Sequence, residues 1–187
     1  MVFIDRHLHI FYTYEPTPYL ILDLLFTQYP FDKHDHFIYF GYGKGRVVII
    51  MAAAHSCSNI TGYEIDSYLH NVALNNIQAY QQKHPCSVNM KIYNMDAQKA
   101  NIDFRANKFF FFNPFHPKVH IRVIQKILLS LDKHTRPATF FIYAPKKPVL
   151  EHLNSLGCLE LVDIMENTRI TKSQTARYYE YAVYMTK

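Results

Sequence analysis

The amino-acid sequence predicts an α/β domain: a mostly parallel sheet covered by helices on both faces, with an antiparallel C-terminal strand in a hairpin that closes one edge. Three observations carry this. Strand-length apolar bursts alternate with stretches of helical spacing, the pattern of crossover units. Three of the chain's five glycines, Gly41, Gly43 and Gly45, stand together where the first burst meets the first helical stretch. The last two strand candidates have no helix between them, which predicts a hairpin.

Phe37 to Phe40 is the first burst, and Val47 to Ala54 the helical stretch after the glycines. A strand over Ile60 to Glu64 leads to a helix from Ser67 to about Gln82, in which Tyr68, Leu69, Val72, Ala73 and Ile77 keep helical spacing. Asp66 or Ser67 supplies its cap by accepting a free backbone N–H. His84-Pro85 ends the pattern. Val88 to Tyr93 alternates as a strand, and Lys108 to Phe112 is short and strongly apolar, the signature of burial on both faces. A helix through Val119, Val123, Ile124, Ile127, Leu128 and Leu131 precedes a strand over Ala138 to Tyr143. Val149 to Leu156 reads as a helix stopped by Gly157 in a left-handed cap. Leu159 to Met165 and Tyr178 to Met185 then form strands joined by a polar loop.

With 187 residues, 49% hydrophobic and 19% charged, the chain suits a single domain over 1–187. Residues 1–14 carry no clear element signal. The net charge of +5 permits a polyanionic partner such as nucleic acid, though spread over a whole surface it reads as ordinary solubility. Cys57, Cys86 and Cys158 lie far apart without a paired spacing, which points to reduced thiols. No apolar stretch is long enough to span a membrane, and Asp5, Arg6, His7 and His9 interrupt any leader-like run. The expected location is the cytoplasm.

The glycine cluster has a definite physical use. A tight strand-to-helix turn without side chains lets a ligand lie against backbone at the positive end of a helix. Glu64 falls 19 residues after Gly45, at the end of the second strand. In a doubly wound sheet an acid there accepts hydrogen bonds from ribose hydroxyls. The plain alternative is an ordinary turn and a solvated strand-end acid. Dinucleotide oxidoreductases use GxGxxG, whereas here the third glycine comes one residue early and Arg46 stands in place of the last. That spacing disfavours NAD and suits a single adenosine.

Phe40-Gly41-Tyr42-Gly43-Lys44-Gly45-Arg46 followed by Gly62-Tyr63-Glu64-Ile65-Asp66 resembles the class I S-adenosylmethionine-dependent methyltransferases, small bacterial ones in particular. The resemblance runs from about Tyr14 to the C-terminus. It implies a seven-stranded Rossmann-like fold, S-adenosylmethionine as cofactor and methyl transfer as function. It implies that Gly41, Tyr42, Gly43 and Gly45 hold the amino-acid part of the cofactor and Glu64 the ribose, with Ile65 beside it as a further cofactor contact. Tyr14-Glu15-Pro16-Thr17-Pro18-Tyr19 is similar to the segment that closes over the methionine half, bringing in Glu15 and Thr17. Asn94-Met95-Asp96-Ala97 is similar to the third-strand motif, which implies adenine contacts from Asp96 and Ala97. Two positions depart from the pattern. Tyr39 replaces an acid near the methionine ammonium, and Tyr42 replaces a small residue.

Asn113-Pro114-Phe115 ends the fourth strand, where the family places groups facing the transferred methyl. Methyl transfer needs an acceptor lone pair in line with the S–CH3 bond, about 3–3.5 Å away. An Asn carboxamide can accept an amine N–H and orient that lone pair, so Asn113 is the catalytic candidate and also borders the cofactor. Pro114 and Phe115 are the substrate-side candidates, the ring being able to stack on a flat substrate. The alternative makes Asn113 a helix cap and Phe115 core. The sequence names no methyl acceptor. A non-catalytic cofactor-binding or interaction protein on the same scaffold is the rival reading, resting on Tyr39 and Tyr42. The His34/His36 and His116/His120 spacings lack the partners of a metal motif, so no metal is expected.

Overall fold

A computed structural model describes residues 15–54, 57–85, 87–112, 115–170 and 175–187, with the side chains of 166–170 and 175–180 outside the description. Seven strands form one sheet in the order β3-β2-β1-β4-β5-β7-β6. In chain order they are β1 (His36–Phe40), β2 (Asn59–Glu64), β3 (Asn89–Asn94), β4 (Lys108–Phe112), β5 (Thr139–Tyr143), β6 (Leu159–Ile170) and β7 (Thr175–Thr186). The first five are mutually parallel, and β7 runs antiparallel to both β5 and β6. The predicted sheet with its antiparallel C-terminal strands is therefore observed.

The order reverses at β1: the chain moves outward to β2 and β3, then returns to β4 on the other side. Open α/β sheets bind ligands at such a switch point, beyond the carboxyl ends of the strands. β1, β4 and β5 are almost wholly buried, and Phe37, Ile38, Phe40, Phe109, Phe110, Phe111, Phe140 and Phe141 are inaccessible. Continuous apolar strands of this kind need cover on both faces.

One face is covered by α1 (Tyr19–Gln28), α2 (Arg46–Ala54) and α3 (Ser67–Lys83), which pack on Phe37, Tyr39, Phe110 and Phe141. The other carries α4 (Pro117–Lys133) and α5 (Lys147–Ser155) over Phe40, Phe109, Phe111 and Phe140. Asp66 is the cap of α3, accepting from the Leu69 N–H at 3.0 Å. His116, and not Asn113, caps α4, its Nδ1 accepting from the Lys118 N–H at 3.3 Å.

Two expectations are corrected. Gly157 does not adopt a left-handed conformation; α5 ends at Ser155 and is capped by Leu156 with φ −84°. The C-terminal hairpin is much longer than its apolar segments, since β6 and β7 pair from Leu159–Thr186 out to Ile170–Thr175. In addition, Tyr19–Gln28 is a helix, of which the sequence reading covered only Tyr19, at the end of the segment preceding the sheet.

Candidate cofactor and active site

The turn from β1 into α2 is made by glycines in a conformation that other residues resist. Gly41, Gly43 and Gly45 have φ of 78°, 58° and 82°, all left-handed. Gly41 N–H donates to the Tyr63 carbonyl at 2.8 Å, fastening the turn to β2. A Cβ on Gly45 would lie 3.2 Å from Ala73 Cβ, so the third glycine also lets α2 and α3 approach.

Glu64, at the end of β2, reaches this turn. Its Oε2 accepts from the Gly43 N–H at 3.0 Å and its Oε1 from the Asp66 N–H at 2.9 Å. The carboxyl is 8% exposed. Burial pushes its pKa above the ordinary glutamate value, and the backbone N–H donors oppose that shift. A carboxylate offers about four lone-pair sites, and these two bonds leave capacity for further donors. The loop and its acid, 19 residues apart in sequence, are thus in direct contact.

Tyr42 is turned away from the mouth of the turn. Its ring is 2% exposed, lies in the core on the α3 side, and is hydrogen-bonded to His70 Nδ1. Gly62 is the residue beneath it: a Cβ there would meet Tyr42 Cδ1 at 2.6 Å. The large residue inside the glycine cluster is accommodated by a glycine on β2, and its ring is packed in the core. Tyr39 is also core, 3% exposed, with Phe110 edge-on at a centroid distance of 4.9 Å.

Arg46 has a role that sequence spacing did not disclose. Its guanidinium donates to the Thr17 carbonyl at 3.2 Å and lies over the Tyr19 ring at 4.7 Å. It thereby fastens the Glu15–Tyr19 segment to the first turn of α2. Thr17 is buried, and its hydroxyl has no hydrogen-bond partner among the described residues. Glu15 is exposed.

At the end of β3, the Asn94 carboxamide donates to the carbonyls of Glu64 (2.9 Å) and Ile65 (3.0 Å), and the Met95 N–H donates to the Glu64 carbonyl. Asp96 caps a 3-10 turn, Ala97–Lys99, by accepting from the Gln98 N–H at 2.9 Å. Ala97 is buried, whereas Ile65 and Met95 are 39% and 37% exposed. Two apolar side chains at neighbouring strand ends are available to flank a flat ring.

Asn113 and Pro114 lie outside the described residues. Phe115 is 5% exposed and packs in the α4-side core. Its ring is engaged in packing within that core. His120, on α4, is buried, with its ring centroid 4.4 Å from that of Phe111. Burial lowers its pKa to about 3, so it is neutral near pH 7.

The residues present fit an adenosine-bearing sulfonium cofactor. The glycine turn is a cradle that Cβ atoms would strain, Glu64 has acceptor capacity at its rim, and the buried Thr17 hydroxyl awaits a partner. The fold is that of the class I methyltransferases. No family model and no curated protein sequence matches the chain. Solved structures do. A proposed tRNA (m1A22) methyltransferase of Streptococcus pneumoniae, in complex with S-adenosyl-L-methionine, superposes with a TM-score of 0.64 at 11% identity over 89% of this chain and 72% of that one. An RNA methyltransferase of Salinibacter ruber, in complex with S-adenosyl-L-homocysteine, gives 0.54 at 20% identity over 92% of each chain. Precorrin 8W decarboxylase of Methanobacterium thermoautotrophicum gives 0.61 at 16% identity, covering 93% and 92%.

Proposed function

We propose that this protein binds S-adenosylmethionine at the β1–α2 turn and transfers its methyl group to an acceptor. The observation that carries the reading is the bond between Gly43 N–H and Glu64, which joins a left-handed glycine turn to a strand-end carboxylate. Gly41, Gly43 and Gly45 bring backbone against the amino-acid part. Glu64 accepts from the ribose hydroxyls, and Ile65, Asp96 and Ala97 border the adenine. Thr17, with Glu15 beside it, faces the methionine half under the Arg46 clamp. The structural neighbours bound to S-adenosylmethionine or its demethylated product support this reading.

When bound, the cofactor supplies an electrophilic methyl on a sulfonium, displaced in line by an acceptor lone pair while the S–CH3 electrons return to sulfur. Asn113, with Pro114 stiffening its turn, holds an amine N–H and directs that lone pair; the proton leaves to solvent. Several neighbours are named as acting on RNA, which makes a nucleic-acid amine a candidate acceptor. The rival, a non-catalytic protein, loses much of its ground because Tyr39 and Tyr42 are packed in the core and do not block the turn.

Calorimetry with S-adenosylmethionine, its demethylated product and NAD tests the cofactor. Saturable binding of the first two is expected, and binding of NAD alone overturns the proposal. With an acceptor in hand, Asn113→Ala should lower turnover at least about tenfold with cofactor affinity little changed. Unchanged turnover removes Asn113 from the chemistry.

A further inference from the structure

Parallel neighbours in a doubly wound sheet are joined by crossovers that usually carry a helix. The crossover from β3 to β4, residues 95–107, has only the 3-10 turn Ala97–Lys99. On the α4 side, the faces of β2 and β3 are therefore left open between this strap and the end of α4. The result is a groove of about 800 Å³.

Its lining differs from the rest of the sheet. β3 alternates: Met90 and Ile92 pack toward α3, while Asn89, Lys91 and Tyr93 line the groove. Five cations line it, Lys91, Lys99, Arg105, Lys126 and Lys133, against one acid, Asp103, which is bound to Arg105 at 2.8 Å. In a chain whose whole net charge is +5, the basic surplus is concentrated here and not spread evenly. His36 lies in the groove wall, 6% exposed, with one ring nitrogen on Thr61 Oγ1 at 2.9 Å. Its other nitrogen, Nδ1, is buried without a hydrogen bond among the described residues and lies 3.8 Å from Asp103 Oδ2.

The groove also contains the end of an aromatic stack. Phe111, Phe40, Tyr63 and Tyr93 occupy one register across four strands. Successive ring centroids lie 4.8, 5.7 and 5.5 Å apart, at interplanar angles of 14°, 17° and 19°. β3 is the sheet edge, so the stack stops at Tyr93, which is 41% exposed. The next position is where a planar base can lie.

We infer that this groove binds a single-stranded nucleic acid, with the lysines following phosphates and an unpaired base stacked on Tyr93. Cations beside an aromatic platform are what a flexible polyanion with accessible bases requires. A duplex keeps its bases stacked on each other and gains nothing from Tyr93. The inference is independent of the cofactor reading, although the Tyr93–Met95 end of the groove adjoins the candidate cofactor site.

The test is fluorescence anisotropy of a labelled single-stranded RNA of about 12 nucleotides, and of its duplex, across a salt series without cofactor. Wild type should bind the single strand more tightly. Lys91→Ala/Lys133→Ala should weaken binding at least about tenfold and reduce the salt slope by about 1.4, two phosphate contacts' worth. Tyr93→Ala should weaken it by about fivefold or more with the slope unchanged. Lys83→Ala/Lys187→Ala, which removes as much charge elsewhere, should stay within about twofold. All substituted side chains are exposed, so the fold is not at stake. Failure of wild type to bind, preference for duplex, or equal loss in both double variants overturns the inference. Calorimetry of the same variants with S-adenosylmethionine reads the cofactor site separately.

Discussion

Glu64 answers two opposing demands at once. Burial favours its neutral form, whereas the N–H groups of Gly43 and Asp66 favour the carboxylate. The folded-state pKa is raised, so the protein binds a proton more readily than the unfolded chain does. This contribution to stability is present at low pH and is lost as pH rises through the folded value. Cofactor binding has the opposite preference, because ribose hydroxyls donate best to the ionised form. S-adenosylmethionine affinity should therefore rise with pH through a midpoint above the ordinary glutamate value. Glu64→Gln should remove that dependence and cost about 1.5–3 kcal/mol at pH 7, read by calorimetry at several pH values. Affinity in Glu64→Gln within about twofold of wild type would mean that Glu64 does not touch the ribose. Tyr39 makes a contrasting case. By family pattern an acid belongs there, but the ring is packed against Phe110 inside an aromatic core. Tyr39→Asp buries a carboxylate among rings and removes the contact, so thermal unfolding should show a loss of about 3–5 kcal/mol with no gain in cofactor affinity. A folded variant that binds more tightly would show that the position faces the methionine ammonium.

Between elements, the tightest fit is Gly62 against Tyr42. A methyl group on Gly62 would meet the ring at 2.6 Å, and that ring is buried and hydrogen-bonded to His70, so it cannot swing aside. Gly62→Ala should cost about 1–3 kcal/mol by overpacking and also weaken cofactor binding, since Tyr42 lies between two glycines of the turn. Gly62→Ala with Tyr42→Phe should recover little, because the clash is with the ring and not the hydroxyl; with Tyr42→Ser it should recover most of the binding. Much at this scale was legible in the sequence. The bounds of β4, the cap at Asp66 and the glycine turn all follow from strong local signals. Helix α1 was not legible because YLILDLLFTQ is nearly continuously apolar, which hides a helical period. The outer parts of β6 and β7 were missed for the opposite reason: a hairpin extending past its neighbours pairs by backbone, and polar side chains give no alternation. Arg46 could have been found only as the residue displacing a glycine, and its hold on Thr17 depends on a turn of chain 29 residues away.

The whole molecule carries an acid sensitivity that its charge count does not suggest. Two of the chain's eleven histidines, His120 and His36, are buried in the fold. Burial lowers the pKa of both. For His120, the unfolded value near 6.5 falls to about 3 in the fold. Between those values the unfolded chain binds the proton and the folded chain does not, so stability present above about 6.5 is lost as pH falls. The slope for one such group approaches about 1.4 kcal/mol per pH unit within that interval. Asp103 adds to the loss at lower pH. The Arg105 side chain holds its carboxyl below the usual range, so that contribution is present at neutral pH and disappears only below about 4. Glu64, whose carboxyl is raised by burial, acts in the opposite direction. Urea unfolding should therefore show a midpoint that falls steadily from pH 7 to pH 4.5, in a range where ordinary carboxylates remain largely ionised. His120→Phe keeps an aromatic ring against Phe111 and takes away the titrating group, so its stability should depend on pH markedly less than wild type does. If the variant and wild type lose stability in parallel, the acid sensitivity belongs to other groups, and the buried imidazole is held by a partner that keeps its proton.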